Sequence, residues 1–506
     1  MPQLSADSVK VEGTVGQTDR YEHLADAAYG LALLVSISVW FLAIRAPLWL
    51  DETVSYWQIA GGFRQIWARS LPVPSFPAYL YILWLTKTLF SNKELVLRIP
   101  SILAMLAAVY VLYRCARELF SRDVALIATV LFAFNADISF AAIDARPYAF
   151  AILTTNLAIL AFLRWTRTHK LNYAALFGAA TAGIFHFQYL FGTVVVVFAI
   201  YYLATQRASL RSDMRQIAVA FACFFVIMLP LIPQLTNMYR TRNSHVFADA
   251  PRLMDTLRVL TPGRVGFVFA AALIVAALTR KLILPGKERY RTFLFCFLLP
   301  TVPTAILYAV SVNTPLHLFV PRYLLVAVPG IALGWAWLVS LIDSRVLRLL
   351  FCVGFVALNA SRAYTSPFAR THDYSWKYAL QFADDNAASD HATLLICSDL
   401  PESDSHPMPS EPVTDSIFFA PLSYYKVRAP VVALPRSLNA ETQRQFTDFR
   451  RQPNGARRRF LVLAYVYSTR TIDWIAYQSQ FTHAPHIFGQ FGGVWVVEFV
   501  PREGNN

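Results

Sequence analysis

The sequence predicts a polytopic α-helical membrane protein with a C-terminal α/β domain outside the membrane. Of its 506 residues, 56% are hydrophobic and only 15% are charged, and the mean hydropathy is +0.43. Soluble domains carry about 25% charged residues, so this composition excludes a soluble protein of this length. The other two observations are a series of apolar runs up to residue 362 and a polar, mixed pattern from residue 363 onward.

The N-terminal segment and the apolar runs define the first two parts of the chain. Residues 1–26 are polar and mixed in charge, so we expect a disordered cytoplasmic tail there and no cleavable signal peptide before the first apolar run. Eleven runs are long enough to span the hydrocarbon core, and they define a transmembrane domain over 27–362. The eleven runs lie at 27–47, 96–113, 123–141, 147–163, 171–186, 188–205, 216–235, 263–279, 292–310, 322–342 and 346–362.

A shorter apolar run at 76–90 decides the topology. If it does not span and the N-terminus is cytoplasmic, the Lys and Arg residues of five short loops all lie on the cytoplasmic side, as membrane proteins strongly prefer. Those loops lie at 114–122, 164–170, 207–215, 280–291 and 345–348. We therefore predict that 76–90 is a juxtamembrane or re-entrant helix within an outer loop, 48–95, and that the C-terminus is also outside.

Residues 363–506 alternate between helix-like and strand-like segments, which is typical of an α/β domain. The helix-like segments are "SWKYALQFADDNAA" and "TIDWIAYQSQF", and the strand-like segments are "ATLLIC", "VVAL", "RFLVLAYV" and "GVWVVEFV". The five cysteines show neither a disulfide framework nor the spacing of a metal site. We predict a periplasmic α/β domain over 363–506.

Polar residues on the predicted outer face form the candidate site. They occur in the first outer loop, which begins at "LWLDETVSYW" and leads to Arg98, and in three short stretches, "AAIDARPYAF", "HFQYLF" and "SVNTPLHLFVPRYLL". A positioned carboxylate can accept the proton of an attacking hydroxyl, and the arginine fork suits phosphate oxygens. The candidates are Asp51, Glu52 and Asp144 as catalytic carboxylates, Arg98, Arg146 and Arg322 as phosphate ligands, and Tyr148, His186, Gln188 and Tyr323 as substrate-binding residues.

Each candidate also has a structural interpretation. The carboxylates of "LWLDETVSYW" can simply mark where a transmembrane helix meets water, and rim arginines can anchor lipid headgroups. Asp144 can pair with Arg146, and a structural hydrogen bond is the commoner role for a rim histidine such as His186. The 38 Phe and 24 Tyr residues are read as lipid-facing or interfacial and carry no functional inference.

The N-terminal part of the chain resembles the GT-C glycosyltransferases, in particular bacterial relatives of protein O-mannosyltransferases and of the lipid A aminoarabinose transferase. The resemblance covers about residues 25–165 and rests on "LWLDETVSYW", "FPAYLYILWLTKTLF" and "LRIPSILAMLAAVYVLYRCARELF" through "AAIDARPYAF"; "VPRYLLVAVPGIALGWA" adds a weaker match. It implies that Asp51 of the Asp-Glu pair is the catalytic base and that Asp144 is the family's second carboxylate. Where many members carry His-Pro-Pro, this chain has "VPSFPAYL".

The sequence therefore predicts an inverting glycosyltransferase of the GT-C type. By resemblance, the donor is a monosaccharide on a polyprenyl phosphate, and the enzyme lies in a bacterial inner membrane with its site facing the periplasm. The acceptor is a hydroxyl of a glycolipid, a polysaccharide or a protein, and no nucleic acid is involved. No cofactor is expected to be required, although a divalent metal is allowed. The alternatives are a transporter or flippase of an envelope precursor and a structural partner of an envelope complex.

Overall fold

The computed structural model describes residues 15–71, 75–241, 250–261, 263–283, 286, 289–365, 375–408, 412–452 and 458–502. Helices dominate the chain up to residue 365. They are α1 (Val15–Ser38), α2 (Leu50–Ala60), α3 (Ile66–Arg69), α4 (Pro77–Leu89), α5 (Glu94–Leu119), α6 (Arg122–Ala133), α7 (Ala136–Ala142), α8 (Tyr148–Thr168), α9 (Leu171–Phe187), α10 (Val194–Gln206), α11 (Met214–Met228), α12 (Ile232–Thr241), α13 (Leu253–Leu260), α14 (Gly263–Leu278), α15 (Arg289–Asn313), α16 (Pro321–Leu324), α17 (Val328–Val339) and α18 (Arg345–Thr365).

The predicted polytopic helical architecture is confirmed, with a smaller count of spans. The described residues contain seven helices that are long and apolar enough to cross a membrane, or up to nine if each of two bent helix pairs is one span. One bent pair is α6 and α7, at 70°. The other two of the eleven predicted runs are occupied by α9 and α18, which are not among these nine. At 17 residues, α9 is about 26 Å long, which is shorter than a bilayer core of about 30 Å.

The bundle encloses one large apolar core. Its members come from α1, α5, α6, α8, α9, α10, α15, α17 and α18, with aromatic side chains such as Phe162 and Phe295 fully buried. A Cβ at Gly178 of α9 would collide with the Ala220 carbonyl of α11. Glycine therefore lets these two helices approach closely, as small residues do in membrane bundles.

The outer loop that follows α1 folds into three helices on one side of the bundle. Gly62 follows α2 with a φ of 90°, a backbone conformation that glycine adopts without steric cost, and the chain turns there into α3. Pro77 begins α4, where its missing N–H leaves no helical bond unmade. With 13 residues, α4 is about 20 Å long and too short to span, which agrees with the predicted juxtamembrane helix.

The C-terminal domain is an α/β fold around one five-stranded sheet. Its elements are α19 (Trp376–Ala387), β1 (Thr393–Cys397), α20 (Ala420–Tyr424), β2 (Val431–Leu434), α21 (Ala440–Arg451), β3 (Phe460–Tyr465), α22 (Thr469–Ser479), β4 (His483–Phe491) and β5 (Val494–Pro501). The strand order is β2-β1-β3-β5-β4. β2, β1 and β3 are parallel, whereas β5 runs antiparallel to both β3 and β4.

The C-terminal domain packs directly on α2. Leu50, Val54 and Trp57 form an apolar stripe on α2 and share a cluster with Leu400, Ile417 and Ala420 of the domain. Positions i, i+4 and i+7 lie on one helix face, so this face belongs to the domain contact. The Tyr425 hydroxyl also accepts a hydrogen bond from the Leu48 amide at 2.7 Å and donates one to Glu94 at 2.9 Å.

Two sequence predictions of local structure need correction. α1 begins at Val15, so residues 15–26 are helical rather than part of a disordered tail; residues 1–14 lie outside the described residues. All six predicted helices and strands of the C-terminal domain are present, but the helices α20 and α21 and the strand β4 were missed. β4 contains Pro485, and several of its side chains are exposed, so it lacks the apolar alternation that marks a strand.

Cysteine labelling tests the orientation of the chain. With a membrane-impermeant thiol reagent added to intact cells, we expect Arg444→Cys in α21 to be labelled and Lys281→Cys to remain unlabelled, because these positions would lie on opposite sides of the membrane. Wild-type protein is the control, since four of its five cysteines are buried. The reverse pattern would place the α2 carboxylates on the cytoplasmic side.

Candidate active site

The site is built around the first turn of α2. Trp49 is the N-cap residue, and its amide donates to the Glu52 carboxylate at 3.2 Å. This bond satisfies one of the amides that an α-helix leaves unpaired at its start. Carboxylates in a first helical turn also interact favourably with the helix dipole. Asp51 and Glu52 both lie in the first turn of α2, but their side chains contact different partners.

Glu52 is buried in a complete ion pair with Arg98 of α5. Glu52 is 1% exposed and Arg98 is 2% exposed. The guanidinium donates to the carboxylate from Nε at 2.8 Å and from Nη2 at 2.7 Å. The Ala145 amide adds a further bond to Glu52 at 2.8 Å. The carboxylate is thus shared by α2, α5 and the loop between α7 and α8.

The remaining Arg98 donors bind backbone carbonyls of the segment that leads into α2. Nη1 donates to Ile44 and Ala46, both at 2.8 Å, and Nη2 donates to Pro47 at 3.1 Å. All five N–H groups of the guanidinium therefore have acceptors within the protein. This occupancy corrects the prediction for Arg98, which is a structural residue and has no donor left for a phosphate.

Asp51 lies on the other side of the same helical turn and faces two arginines. Its Oδ2 is 2.9 Å from Nη1 of Arg322 and 3.9 Å from Nη2 of Arg146. Arg146 also donates to the Asp51 carbonyl at 3.3 Å and to the Ser55 hydroxyl at 3.2 Å. The Asp51 side chain is 18% exposed, so a carboxylate and two cations meet at a place that solvent reaches.

Asp144 is the third carboxylate, and it is buried. The Trp49 indole donates to its Oδ1 at 2.9 Å, while Oδ2 has no hydrogen-bond partner among the described residues. Burial, with the nearby Glu52 charge, raises the pKa of Asp144 well above its ordinary value, and the Trp49 bond opposes that shift. Asp144 is therefore a carboxyl that favours its neutral form.

Of the predicted substrate-binding residues, Tyr148 and Tyr323 lie at this site. Tyr148 begins α8, is 3% exposed, and interacts electrostatically with Arg322 and Arg146. The Arg322 guanidinium lies over the Tyr323 ring, 5.4 Å from its centre, a cation–π arrangement that fixes the arginine. The two tyrosines thus surround the arginines that contact Asp51.

His186 and Gln188 are not brought to the carboxylates by any described contact. His186 Nε2 donates to the Ile227 carbonyl of α11 at 2.8 Å, which is the structural role that a rim histidine commonly has. Gln188 is 3% exposed and follows the end of α9, where its backbone N–H donates to the Ile184 carbonyl. The prediction that these two residues bind substrate receives no support from the geometry.

Three residues at the site were missed by the sequence analysis. Trp49 and Ser55 flank the carboxylate pair in the sequence, and this proximity could have identified them as site residues. Asp399 follows β1 in the C-terminal domain, and no local signal marks it. Burial raises its pKa to about 6, and the charge of Asp51 adds to the shift. A carboxyl group of the C-terminal domain therefore lies within electrostatic reach of Asp51.

The segment that departs from the family pattern at "VPSFPAYL" has a structural role around Ser75. The Ser75 hydroxyl accepts a hydrogen bond from Gln58, and its carbonyl accepts bonds from Gln234 and Tyr189. Ser75 is 3% exposed, and these bonds join the outer loop to α2 and α12. Residues 72–74 of this segment lie outside the described residues.

The described part of the chain contains no group of three or more His, Cys, Asp or Glu side chains arranged to hold a metal ion. The charges that face Asp51 come from Arg146 and Arg322 instead. The predictions that no cofactor is required and that a divalent metal is allowed both stay predictions.

Residues 72–232 match the family model of the dolichyl-phosphate-mannose-protein mannosyltransferases. The match is to a glycosyltransferase family. It includes Arg98, Asp144 and Arg146 but neither Asp51 nor Arg322, and it supports the predicted resemblance to membrane glycosyltransferases of the GT-C type. No curated relative matches the chain.

Solved structures that the chain matches include ArnT from Cupriavidus metallidurans bound to undecaprenyl phosphate, at 12% identity and a TM-score of 0.49, covering 92% of this chain and 97% of that one. The Archaeoglobus fulgidus oligosaccharyltransferase complex with Zn and sulfate has 12% identity and a TM-score of 0.49, covering 94% and 73%. Archaeal AglB from Archaeoglobus fulgidus, with an inhibitory peptide and a dolichol-phosphate, has 12% identity and a TM-score of 0.48, covering 96% and 75%.

Glu52→Gln is expected to destabilise the protein strongly, because it leaves the buried Arg98 charge without its partner. Breaking a buried ion pair in this way costs about 3–5 kcal/mol. The measurement is thermal or denaturant unfolding of purified protein in detergent. Glu441→Gln is the control, since its exposed pair with Arg444 contributes no more than about 1 kcal/mol. Equal, small effects of both substitutions would contradict the structural role of Glu52.

Asp144→Asn is expected to stabilise the protein more at about pH 8 than at about pH 5. Because burial raises the pKa of Asp144, the folded state keeps a proton that the unfolded chain releases above about pH 4. Wild-type stability should therefore fall as the pH rises from there towards the raised pKa. Asparagine has no such proton to lose and can still accept the Trp49 bond. Melting temperatures of both proteins at the two pH values test this, and a pH-independent difference would contradict it.

Proposed function

We propose that this protein transfers a monosaccharide from a polyprenyl-phosphate donor to an acceptor hydroxyl at the periplasmic face of a bacterial inner membrane. The observation that carries the proposal is the accessible Asp51 carboxylate, 2.9 Å from Arg322 and 3.9 Å from Arg146. The transfer needs a proton acceptor and fixed cations for a departing phosphate, and this arrangement offers both. The name of the matching family, which specifies dolichyl-phosphate-mannose, supports a donor of this class.

The reaction is a single displacement with Asp51 as general base. The acceptor oxygen attacks the anomeric carbon while its proton moves to the Asp51 carboxylate. The bond between the anomeric carbon and the phosphate oxygen breaks, and its electron pair leaves with the polyprenyl phosphate. One displacement inverts the anomeric configuration. The product is a glycoside, and the released lipid carries the phosphate.

The arginines contribute by binding the phosphate. Charge-assisted bonds from guanidinium groups to phosphate oxygens are strong and often bidentate, and they stabilise the charge that develops as the sugar departs. Arg322 and Arg146 already hold the Asp51 carboxylate. A donor phosphate would compete with Asp51 for these guanidinium groups and release a carboxylate oxygen for the acceptor hydroxyl.

The other two carboxylates act as positioning residues. Glu52 fixes the start of α2 through Arg98, so Asp51 and Ser55 are held towards the arginines. Asp144 accepts the Trp49 indole bond and holds the residue that caps the same helix. Neither is placed to accept the acceptor proton, because Glu52 is fully paired and burial favours the neutral form of Asp144.

The acceptor is a hydroxyl of an envelope glycolipid, polysaccharide or protein. A transporter or flippase, the alternative from the sequence, would move its substrate chemically unchanged. Release of polyprenyl phosphate in step with product separates the two functions. Purified enzyme supplied with a panel of polyprenyl-phosphate sugars provides this measurement.

Asp51→Asn is expected to lower the transfer rate by roughly 10²-fold or more, because it keeps the shape of the side chain but removes the proton acceptor. Donor binding should not weaken, because the neutral amide competes less than the Asp51 carboxylate for Arg322 and Arg146. The measurement is single-turnover transfer from a labelled polyprenyl-phosphate sugar by purified protein in detergent. Turnover by Asp51→Asn close to that of the wild type would refute the base assignment.

Two variants separate the base from the phosphate ligands. Arg322→Ala should raise the KM for the donor, because it removes a proposed phosphate contact while leaving the base in place. Arg64→Ala is the matched control, since this arginine is exposed in the outer loop between α2 and α3. The assignment of Arg322 fails if its loss leaves donor affinity unchanged.

A further inference from the structure

A solvent-open cleft lies between the outer loop and the C-terminal domain. Its volume is about 510 Å³, within the roughly 300–1,000 Å³ of ligand-binding pockets. Trp57, Gly61 and Arg69 line it from the α2 and α3 side, and Ser423 and Lys426 line it from the C-terminal domain. Both parts of the protein are therefore needed to form this cleft.

The cleft lies close to the proposed base but is separate from it. Trp57 follows Asp51 by six residues on α2, which is about 9 Å along the helix axis. The two side chains do not share a face, since Trp57 belongs to the stripe that contacts the C-terminal domain. An acceptor held in the cleft would therefore have to extend around α2 by at least this distance to place a hydroxyl group at Asp51.

Two cations and one carboxylate line the cleft. Arg69 and Lys426 line it, and neither forms an ion pair among the described residues. Arg69 instead donates to the Trp57 carbonyl at 2.8 Å and lies over the Trp57 ring. Lys87 of α4 is nearby, and burial together with the Arg69 charge lowers its pKa. Asp415 is the carboxylate in the lining, so the local balance favours an anion.

The lining also suits sugar hydroxyls. Thr414, Ser423 and Asp415 offer hydroxyl and carboxylate groups, which form hydrogen bonds of both polarities with a saccharide. Val427, Ala429 and Val431 add apolar surface to the lining. The hydroxyl groups together with the two cations favour a saccharide that carries an anionic group.

We propose that this cleft binds the acceptor as a saccharide that carries a phosphate or carboxylate group. The proposal rests on the proposed function, in which Asp51 deprotonates an acceptor hydroxyl. The anionic group would pair with Arg69 and Lys426, while the hydroxyl that receives the sugar extends towards Asp51. The acceptor class would then be an acidic glycan or glycolipid rather than a protein.

Binding to the full-length protein in detergent tests the proposal without any transfer. The probes are labelled trigalacturonate, maltotriose phosphate, neutral maltotriose and an acidic hexapeptide. We expect at least one anionic trisaccharide to bind about tenfold more tightly than neutral maltotriose, because a charge-assisted hydrogen bond contributes about 1.5–3 kcal/mol. Comparison of the two anionic sugars identifies which anion is preferred.

Lys426→Glu should weaken that binding by about tenfold or more, and Lys426 is exposed, so the variant should fold. Arg470→Glu is the matched control, because this exposed cation lies on α22 of the same domain outside the cleft; its effect should stay within about twofold. Equal binding of neutral and anionic sugars, no effect of Lys426→Glu, or tighter binding of the hexapeptide would overturn the proposal. The Asp51→Asn protein should bind the same probes, because Asp51 does not line the cleft. Probe binding therefore tests the cleft, and the transfer assay separately tests the proposed function.

Discussion

The buried ion pair between Glu52 and Arg98 is the interaction on which the site depends. Two charges in an apolar interior are stable only if every donor and acceptor is used, and the five guanidinium N–H groups all have partners. Through this pair the segment after α1, the first turn of α2, the α5 helix and the Ala145 loop are joined at one point. Glu52 thereby sets the rotation of α2, and the direction of its neighbour Asp51 follows.

With its rotation set, α2 presents different chemistry on each side. Asp51 and Ser55 are one helical turn apart and both contact Arg146, whereas Leu50, Val54 and Trp57 contact the C-terminal domain. The domain is also joined to the start of α5, where Glu94 accepts bonds from Tyr425 and from Lys377. The C-terminal domain thus helps to hold α2 in place, because it covers the apolar face of this helix.

Residues of the same type have different roles at the site, because their burial and their partners differ. Arg98 and Arg322 are both arginines at helix starts near the outer face, yet Arg98 is 2% exposed with all its donors used, while the Arg322 side chain is 28% exposed beside Asp51. Asp51 and Asp144 differ in the same way, one accessible and paired, the other buried with a raised pKa. Burial and partners, rather than residue type, decide which groups are available to a substrate.

The sequence by itself determined the class of protein, the positions of its long apolar helices, the Asp-Glu pair and six of the nine described C-terminal helices and strands. These features follow from local hydropathy and periodicity, which each segment carries on its own. Local pattern failed for β4, whose Pro485 and exposed side chains are accommodated by pairing with β5. The tertiary structure alone decided that Arg98 is structural, that His186 binds Ile227, and that Tyr425 reaches Leu48 across 377 residues of chain. The partner of a side chain is set by contacts between segments distant in sequence, and no local pattern records them.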